Sequence, residues 1–307
     1  MSYDVHIYGP VFCDIIFTGL TEMPTLGRET FAQELTVAAG GSAIVAAGLH
    51  RLGAKVGLIA DLGNDPLSTL TLNHLEELGL DLSLIQRHPY PLARVSVALS
   101  YPHDRAFITR FQQSGVHPNL SAILAQYPAR HVHICSILGA LDIPEICQTV
   151  HAAGATISMD PGWDDQLLHD TRLSALVADL DFFLPSQVEI SEMAPSKDLD
   201  HSAWQVLSQM KHGAVIVKMG AEGASAYLPD ADRPVHVAAI PVKAVDTTGA
   251  GDAFDAGFLY AYLNNLPVET CLRYGVICGG LATTAQGGTS AIPNKEELGQ
   301  WLSRSPL

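Results

Sequence analysis

Positive charge is scarce in this chain. Across 307 residues, 17 Lys and Arg stand against 32 Asp and Glu, a formal net charge of −15. A surface that negative repels phosphate backbones unless it carries a local basic patch, and no run of Lys or Arg supplies one. Nucleic acid and acidic membrane surfaces are therefore not expected partners. No apolar run reaches the length that spans a bilayer. The opening Met1-Ser2-Tyr3-Asp4-Val5-His6 lacks the basic and apolar parts of a signal peptide. Paired cysteines are missing too. Cys13, Cys135, Cys147, Cys271 and Cys278 are odd in number and scattered, with no C-x-x-C and no His at a zinc-like spacing. Reduced, buried thiols in a cytoplasmic protein are the expectation. What is present is apolar material, 48% of the chain, enough for a large core.

Short Val- and Ile-rich runs at 5–8, 55–60, 131–137, 156–160, 181–185 and 214–219 alternate with segments of helical period. The latter lie at 42–52, 67–78, 144–153 and 202–211. This rhythm predicts an α/β protein with a mainly parallel sheet. After a strand at 235–242, the last third reads as helices 252–264, 268–286 and 295–303. Two segments, at about 17–38 and 94–111, break the rhythm and read as extended chain. They are expected to leave the sheet as a small β lid inserted in a single 1–307 domain.

The stretch Val245-Asp246-Thr247-Thr248-Gly249-Ala250-Gly251-Asp252-Ala253-Phe254 carries the chemistry. It stands where a strand gives way to a helix expected to begin near Asp252. Small residues at Gly249, Ala250 and Gly251 let the backbone approach a ligand closely. Their N–H groups and the positive end of the helix dipole make an anion hole suited to a transferring phosphate. A carboxylate beside bound phosphate is unfavourable unless it does something there. Taking a proton from an attacking hydroxyl would be such a role for Asp252. A Rossmann fingerprint would need Gly where Phe254 stands, and a Walker loop would need Gly-Lys-Ser/Thr. A Gly-rich turn with a helix-capping Asp is the plain alternative.

The full string closely resembles the C-terminal signature of the ribokinase-like (PfkB) carbohydrate kinase family. The resemblance continues along the chain in the family's order. Gly9-Pro10-Val11-Phe12-Cys13-Asp14 resembles its first strand, and Ala39-Gly40-Gly41-Ser42-Ala43 with 46–53 its di-glycine signature. Gly63-Asn64-Asp65 resembles the next turn, and Met159-Asp160-Pro161-Gly162 the central D-P element. Lys218-Met219-Gly220-Ala221-Glu222-Gly223 is similar to the nucleotide-side loop, and 275–293 to the adenine-side helix and loop.

The resemblance implies a three-layer sandwich, a mostly parallel sheet flanked by helices with a small β lid. It implies ATP-dependent phosphorylation of a hydroxyl on a small sugar, with Asp252 as general base and Gly249, Ala250 and Gly251 as the anion hole. Asp14, Gly40 and Gly41 would orient the acceptor, and Lys218, Gly220, Gly223 and Gly287 would meet the nucleotide. Glu189 would order Mg2+ through water, and Asp246 and Thr248 would border a monovalent cation such as K+. A nucleoside acceptor and a lapsed sugar or nucleotide sensor are alternatives within the same family, and the exposed edge of a small β lid invites a homodimer through the lid.

Four positions depart from the family pattern. Ile44 or Val45 replaces a substrate-touching Asn, which points away from a sugar held in the standard way. Ser186-Gln187-Val188-Glu189 has Ser where N-x-x-E has Asn, Ser68 stands where Gly is common, and Gly275 where Asn is frequent. Other groups invite weaker readings. His131 and His133 share a strand face, a metal pair or, more simply, packing. Asp164 and Asp165 form either paired carboxylates or a solvated loop. Arg105 and Arg110 either close on substrate or only solubilise a β surface.

Overall fold

Alternate residues along 214–218 enter different cores: Ala214 and Ile216 one, Val215 and Val217 the other. A strand buried on both faces belongs in the middle of a layered α/β structure. The computed structural model, which describes residues 2–101 and 105–304, places it there.

The first third of the chain holds β1 (Tyr3–Tyr8), β2 (Val11–Thr18), β3 (Glu34–Gly41), α1 (Ser42–Arg51), β4 (Val56–Leu62) and α2 (Pro66–Glu77). Then come β5 (Ile85–Arg87), β6 (Val95–Ser100), β7 (Arg105–Arg110), α3 (Leu120–Gln126) and β8 (Ala129–Ile134). The middle continues through α4 (Ile146–Ala152), β9 (Thr156–Met159), α5 (Thr171–Val177), β10 (Phe182–Phe183), α6 (Gln187–Met193), α7 (Leu199–Leu207) and β11 (Ala214–Lys218). The last elements are β12 (Ala224–Tyr227), β13 (Val235–Val237), α8 (Ala250–Leu263), α9 (Val268–Ala282) and α10 (Lys295–Arg304).

Nine strands form one sheet in the order β13-β12-β11-β10-β9-β8-β1-β4-β5. Strands from β11 to β5 run parallel, while β12 and β13 add antiparallel. One face packs on α1, α2, α8 and α9 through Val5, Ile7, Leu49, Leu75, Phe258 and Leu272. The other packs on α3 to α7 through Leu124, Val132, Val150, Leu173, Ile190 and Val206. The expected three-layer sandwich is the observed one. No helix among the described residues is long and apolar enough to cross a membrane.

A second sheet, β3-β2-β6-β7, stands apart as the lid. Its bounds correct the sequence reading. The lid begins at Val11 rather than near 17, because Gly9-Pro10 separates β1 from β2, and 19–33 is largely without regular structure. Asp14 therefore lies within a lid strand, not at the end of the first strand of the main sheet. Of the expected second segment, 94–111, residues 102–104 lie outside the described residues. The strand expected over 235–242 stops at Val237, the helix over 268–286 ends at Ala282, and the helix over 202–211 starts at Leu199. There Asp198 caps the helix by accepting the Asp200 N–H.

Candidate active site

The turn 246–249 is built around Asp246, which is 5% exposed. One carboxylate oxygen accepts the Thr248 N–H at 2.9 Å and its hydroxyl at 2.8 Å. The other accepts the Gly287 N–H at 3.0 Å, tying this turn to the loop after α9. Gly249 then takes φ +72, a left-handed conformation that costs an L side chain strain. A Cβ there would also stand 2.7 Å from the Gly288 backbone. α8 begins at Ala250, two residues earlier than the sequence indicated, so Asp252 sits inside the first turn instead of capping it. N–H groups of a first turn have no partner within the helix. Ala250 makes a long bond of 3.3 Å to Thr247 O.

Residues 247–252, but not Asp246 or Gly287, line a cavity of about 1030 Å³ between the lid and the carboxyl ends of β9 and β11. Asp14, Gly41, Ile44, Ser96, Arg105 and Trp163 line it, as do Asp160, Ser186, Glu189, Lys218, Gly220 and Gly223. Asp14 and Asp252 belong to the same field. Burial pushes each carboxyl up to about 7, and Asp252 is the largest charge acting on Asp14. Asp160 adds to the rise at Asp252, and Lys218 opposes it. Gly40 is small because a Cβ would overlap the Asp14 carboxylate. Gly41, at φ +63, would drive a Cβ to 2.5 Å from Pro10 O.

Lys218 lines the same cavity as Gly220 and Gly223, the loop expected to meet the nucleotide. At the end of β11 it reaches sideways into carboxylates, 2.6 Å from Asp160 and 3.2 Å from Asp255. Burial disfavours the ammonium, but attraction to Asp160 and Asp255 outweighs it and raises the lysine well above its usual range. Asp160 is likewise held low by Lys218 against the pull of burial. Asp255, wholly buried, is pushed well above the carboxylate range despite Lys218. Sequence reasoning missed Asp255, although its spacing of three from Asp252 puts both on one face of α8.

Beneath Asp255 runs a buried polar line. His133 Nε2 lies 3.8 Å from Asp255. Its Nδ1 shares a 2.7 Å hydrogen bond with Ser158 Oγ, which shares another of 2.7 Å with His131 Nε2. His131 Nδ1 reaches Thr156 Oγ1, also at 2.7 Å. Burial pushes both imidazoles down to about 3, so they are neutral hydrogen-bonding groups. The packing interpretation of this pair fits these contacts.

Glu189 is 8% exposed, and one of its oxygens accepts the Ser186 N–H at 2.6 Å while Ser186 Oγ accepts the Glu189 N–H. Ser186-x-x-Glu189 is thus a capping box starting α6. Burial, then repulsion from Asp160, raises Glu189. Asp164 accepts the Gln166 and Leu167 N–H groups, which makes it a turn residue. Arg110 donates to Leu92 O and Ala93 O at the lid base, whereas Arg105 faces the cavity. The five cysteines are free thiols.

Comparison with known proteins places this architecture. The chain is 30% identical to the 2-dehydro-3-deoxygluconokinase of Bacillus subtilis, covering 89% of this chain and 88% of that protein. It is 29% identical to a fructokinase of Salmonella typhimurium, covering 84% and 90%. An E. coli protein assigned as a ribokinase II, solved with ATP and Mg2+, superposes with a TM-score of 0.79 at 25% identity, over 99% of this chain and 100% of that one. Residues 14–295 match the model for the pfkB family carbohydrate kinases, and the chain belongs to that family.

Proposed function

We propose that the protein transfers the γ-phosphoryl group of ATP to a hydroxyl of a small sugar or sugar-like acceptor. The observation that carries this is the placement of Asp252 within the first turn of α8, lining one cavity with Asp14. Asp252 takes the acceptor proton, and the freed oxygen bonds to the γ-phosphorus as the bond to the bridging oxygen breaks, releasing ADP. Backbone N–H groups at Gly249, Ala250 and Gly251 oppose the charge on the transferring group. Asp14, with the Gly40 and Gly41 backbone, orients the acceptor. Gly220, Gly223 and the Gly287 loop border the nucleotide, with Lys218 fixing the acids behind it.

The carboxylates on the cavity wall are hard oxygen donors, which fit Mg2+. Glu189 would meet it through water, and bound Mg2+ would supply charge neutralisation at the phosphates. A monovalent cation beside Asp246 and Thr248 is part of the same reading. There carbonyl oxygens would do most of the holding, since both Asp246 oxygens already accept N–H bonds. Lid-to-lid pairing of two copies would cover Leu35, Phe107 and Ile108, exposed on lid strands.

The experiment is ADP release with Mg2+, in K+ or Na+, over pentoses, hexoses, keto-acid sugars, phosphosugars and nucleosides, with Asp252→Asn alongside. Turnover of one acceptor class, abolished in the variant, is the expected result. ATP binding with silence across the panel would overturn the proposal.

A further inference from the structure

At the amino ends of β9, β10 and β11, away from the cavity, three ligand-type side chains converge from separate segments. His151 lies near the end of α4, Asp181 directly precedes β10, and His212 lies two residues before β11. Asp160, Ser186 and Lys218 lie at the other ends of the strands that these segments lead into. About five residues of extended chain, roughly 16 Å, separate the two ends.

Asp181 is held in place. Its Oδ2 accepts the Ile157 N–H at 2.7 Å, and its backbone bonds Ile157 and Ala214. His151 Nε2 stands 3.0 Å from Oδ2, and His212 Nε2 stands 3.6 Å from Oδ1, beyond hydrogen-bonding reach. The two rings lie 5.6 Å apart by centroid, and all three ligand atoms fall within 4.8 Å of one another. A tetrahedral Zn2+ with bonds of about 2.0–2.1 Å spaces its ligand atoms roughly 3.3 Å apart, a spacing that the 3.0 and 3.6 Å distances to the two Asp181 oxygens bracket. Lys211, beside His212, pairs with Asp179 at 2.7 Å and leaves Asp181 to the two imidazoles. All three side chains are partly exposed, so a fourth position would open to water. Among the described residues this is the one cluster of three with such spacing.

We propose that His151, Asp181 and His212 form a Zn2+ site, completed by water, that ties α4 to the segments leading into β10 and β11. Two imidazoles and one carboxylate suit Zn2+ and not Mg2+, which separates this site from any metal requirement of the cavity. The site owes nothing to the kinase reading and stands or falls independently of it.

The test uses full-length, tag-free, metal-stripped protein titrated with ZnCl2 by calorimetry, with Mg2+ in excess to occupy cavity carboxylates. One equivalent of Zn2+ should bind and raise the melting temperature. His151→Ala and His212→Ala should each weaken binding at least tenfold and abolish that rise, while melting like the parent without metal. Co2+ in place of Zn2+ should give visible absorption of a four-coordinate ion, lost in either variant. No saturable binding at millimolar Zn2+, or binding unchanged in both variants, would overturn the proposal.

Discussion

Replacing Lys218 by Met removes the cation from between two buried carboxylates while keeping most of the side-chain volume. Asp160 lies 2.6 Å from the ammonium and Asp255 3.2 Å, with Asp255 fully shielded from water. Breaking a buried pair by deleting one partner costs about 3–5 kcal/mol, because the remaining charge has no compensation. For a chain of this size that corresponds to a melting temperature lower by about 6–10 °C, at about 2 °C per kcal/mol. The pH dependence gives the argument its sign. Lys218 lowers both carboxylates, so its loss lets Asp160 rise from its depressed value and pushes Asp255 further above its unfolded one. A group so raised stabilises the fold below its unfolded value and loses that contribution as pH rises through its folded value. The deficit of Lys218→Met should thus be large at pH 8 and smaller at pH 5. Asp255→Asn added to it should recover part of the loss at pH 8. Thermal unfolding of the ligand-free proteins, followed by circular dichroism at both pH values, checks this. A deficit under about 2 °C at pH 8, or the same deficit at both, would refute the reasoning.

Asp252 obeys the same linkage. Its carboxyl is raised from 3.8 to about 7, so the neutral acid is favoured in the fold, and that stabilisation fades as pH climbs through about 7. Asp252→Asn should abolish turnover yet gain melting temperature relative to the parent between pH 5 and 8; a difference constant with pH would contradict this. With Asp14 also at about 7, kcat/KM should rise with pH through that region, as apparent values belonging to the pair. A flat profile from pH 6 to 8 would remove either acid from the reaction. Gly249→Ala meets both a left-handed backbone and a Gly288 contact of 2.7 Å, so kcat should drop at least tenfold with little change in acceptor KM. Gly40→Ala would displace the Asp14 carboxylate and should raise acceptor KM more than ATP KM, a split read from steady-state kinetics.

The parallel sheet was legible because its strands are buried on both faces and so read as Val- and Ile-rich runs, as in 55–60 and 214–219. What escaped was short or paired at a distance. β5 has three residues, and α3, α5 and α6 span seven each, too few turns for a clear period to emerge. The lid boundary failed at Gly9-Pro10, since β1 and β2 form nearly one apolar run whose division depends on pairing with β3 and β6. The glycine string and Asp252 were legible because the backbone demands on that turn are local. Lys218 was legible as a site residue, but its ion pairs were not, since Asp160 and Asp255 arrive from β9 and α8. The cluster of His151, Asp181 and His212 is assembled across three segments, and no local spacing announces it.

Three of the four departures from the family pattern have a local partner, and at the fourth, Ile44 or Val45, Ile44 is the one that lines the cavity. Ser68 Oγ donates to Asp65 and accepts the Gly63 N–H, strengthening the cap of α2. Ser186 closes the capping box of α6. At Gly275 a Cβ would stand 2.7 Å from the Phe254 ring, so the aromatic ring fills the space that a side chain on α9 would take. Ile44 is different. It is 3% exposed, clusters with Ala253, Ala282 and Ile292, and its methyls lie against Gly249 and Gly288. Ile44 also lines the cavity, where it offers hydrocarbon in place of an amide. The hydrocarbon here packs against the turn before α8 and presents no hydrogen bond to an acceptor. The lid offers polar groups on the same cavity: Ser96 and Thr109 share a 3.0 Å hydrogen bond there, and Arg105 lines it too. Acceptor choice in this chain should accordingly respond more to lid substitutions than to changes on α1.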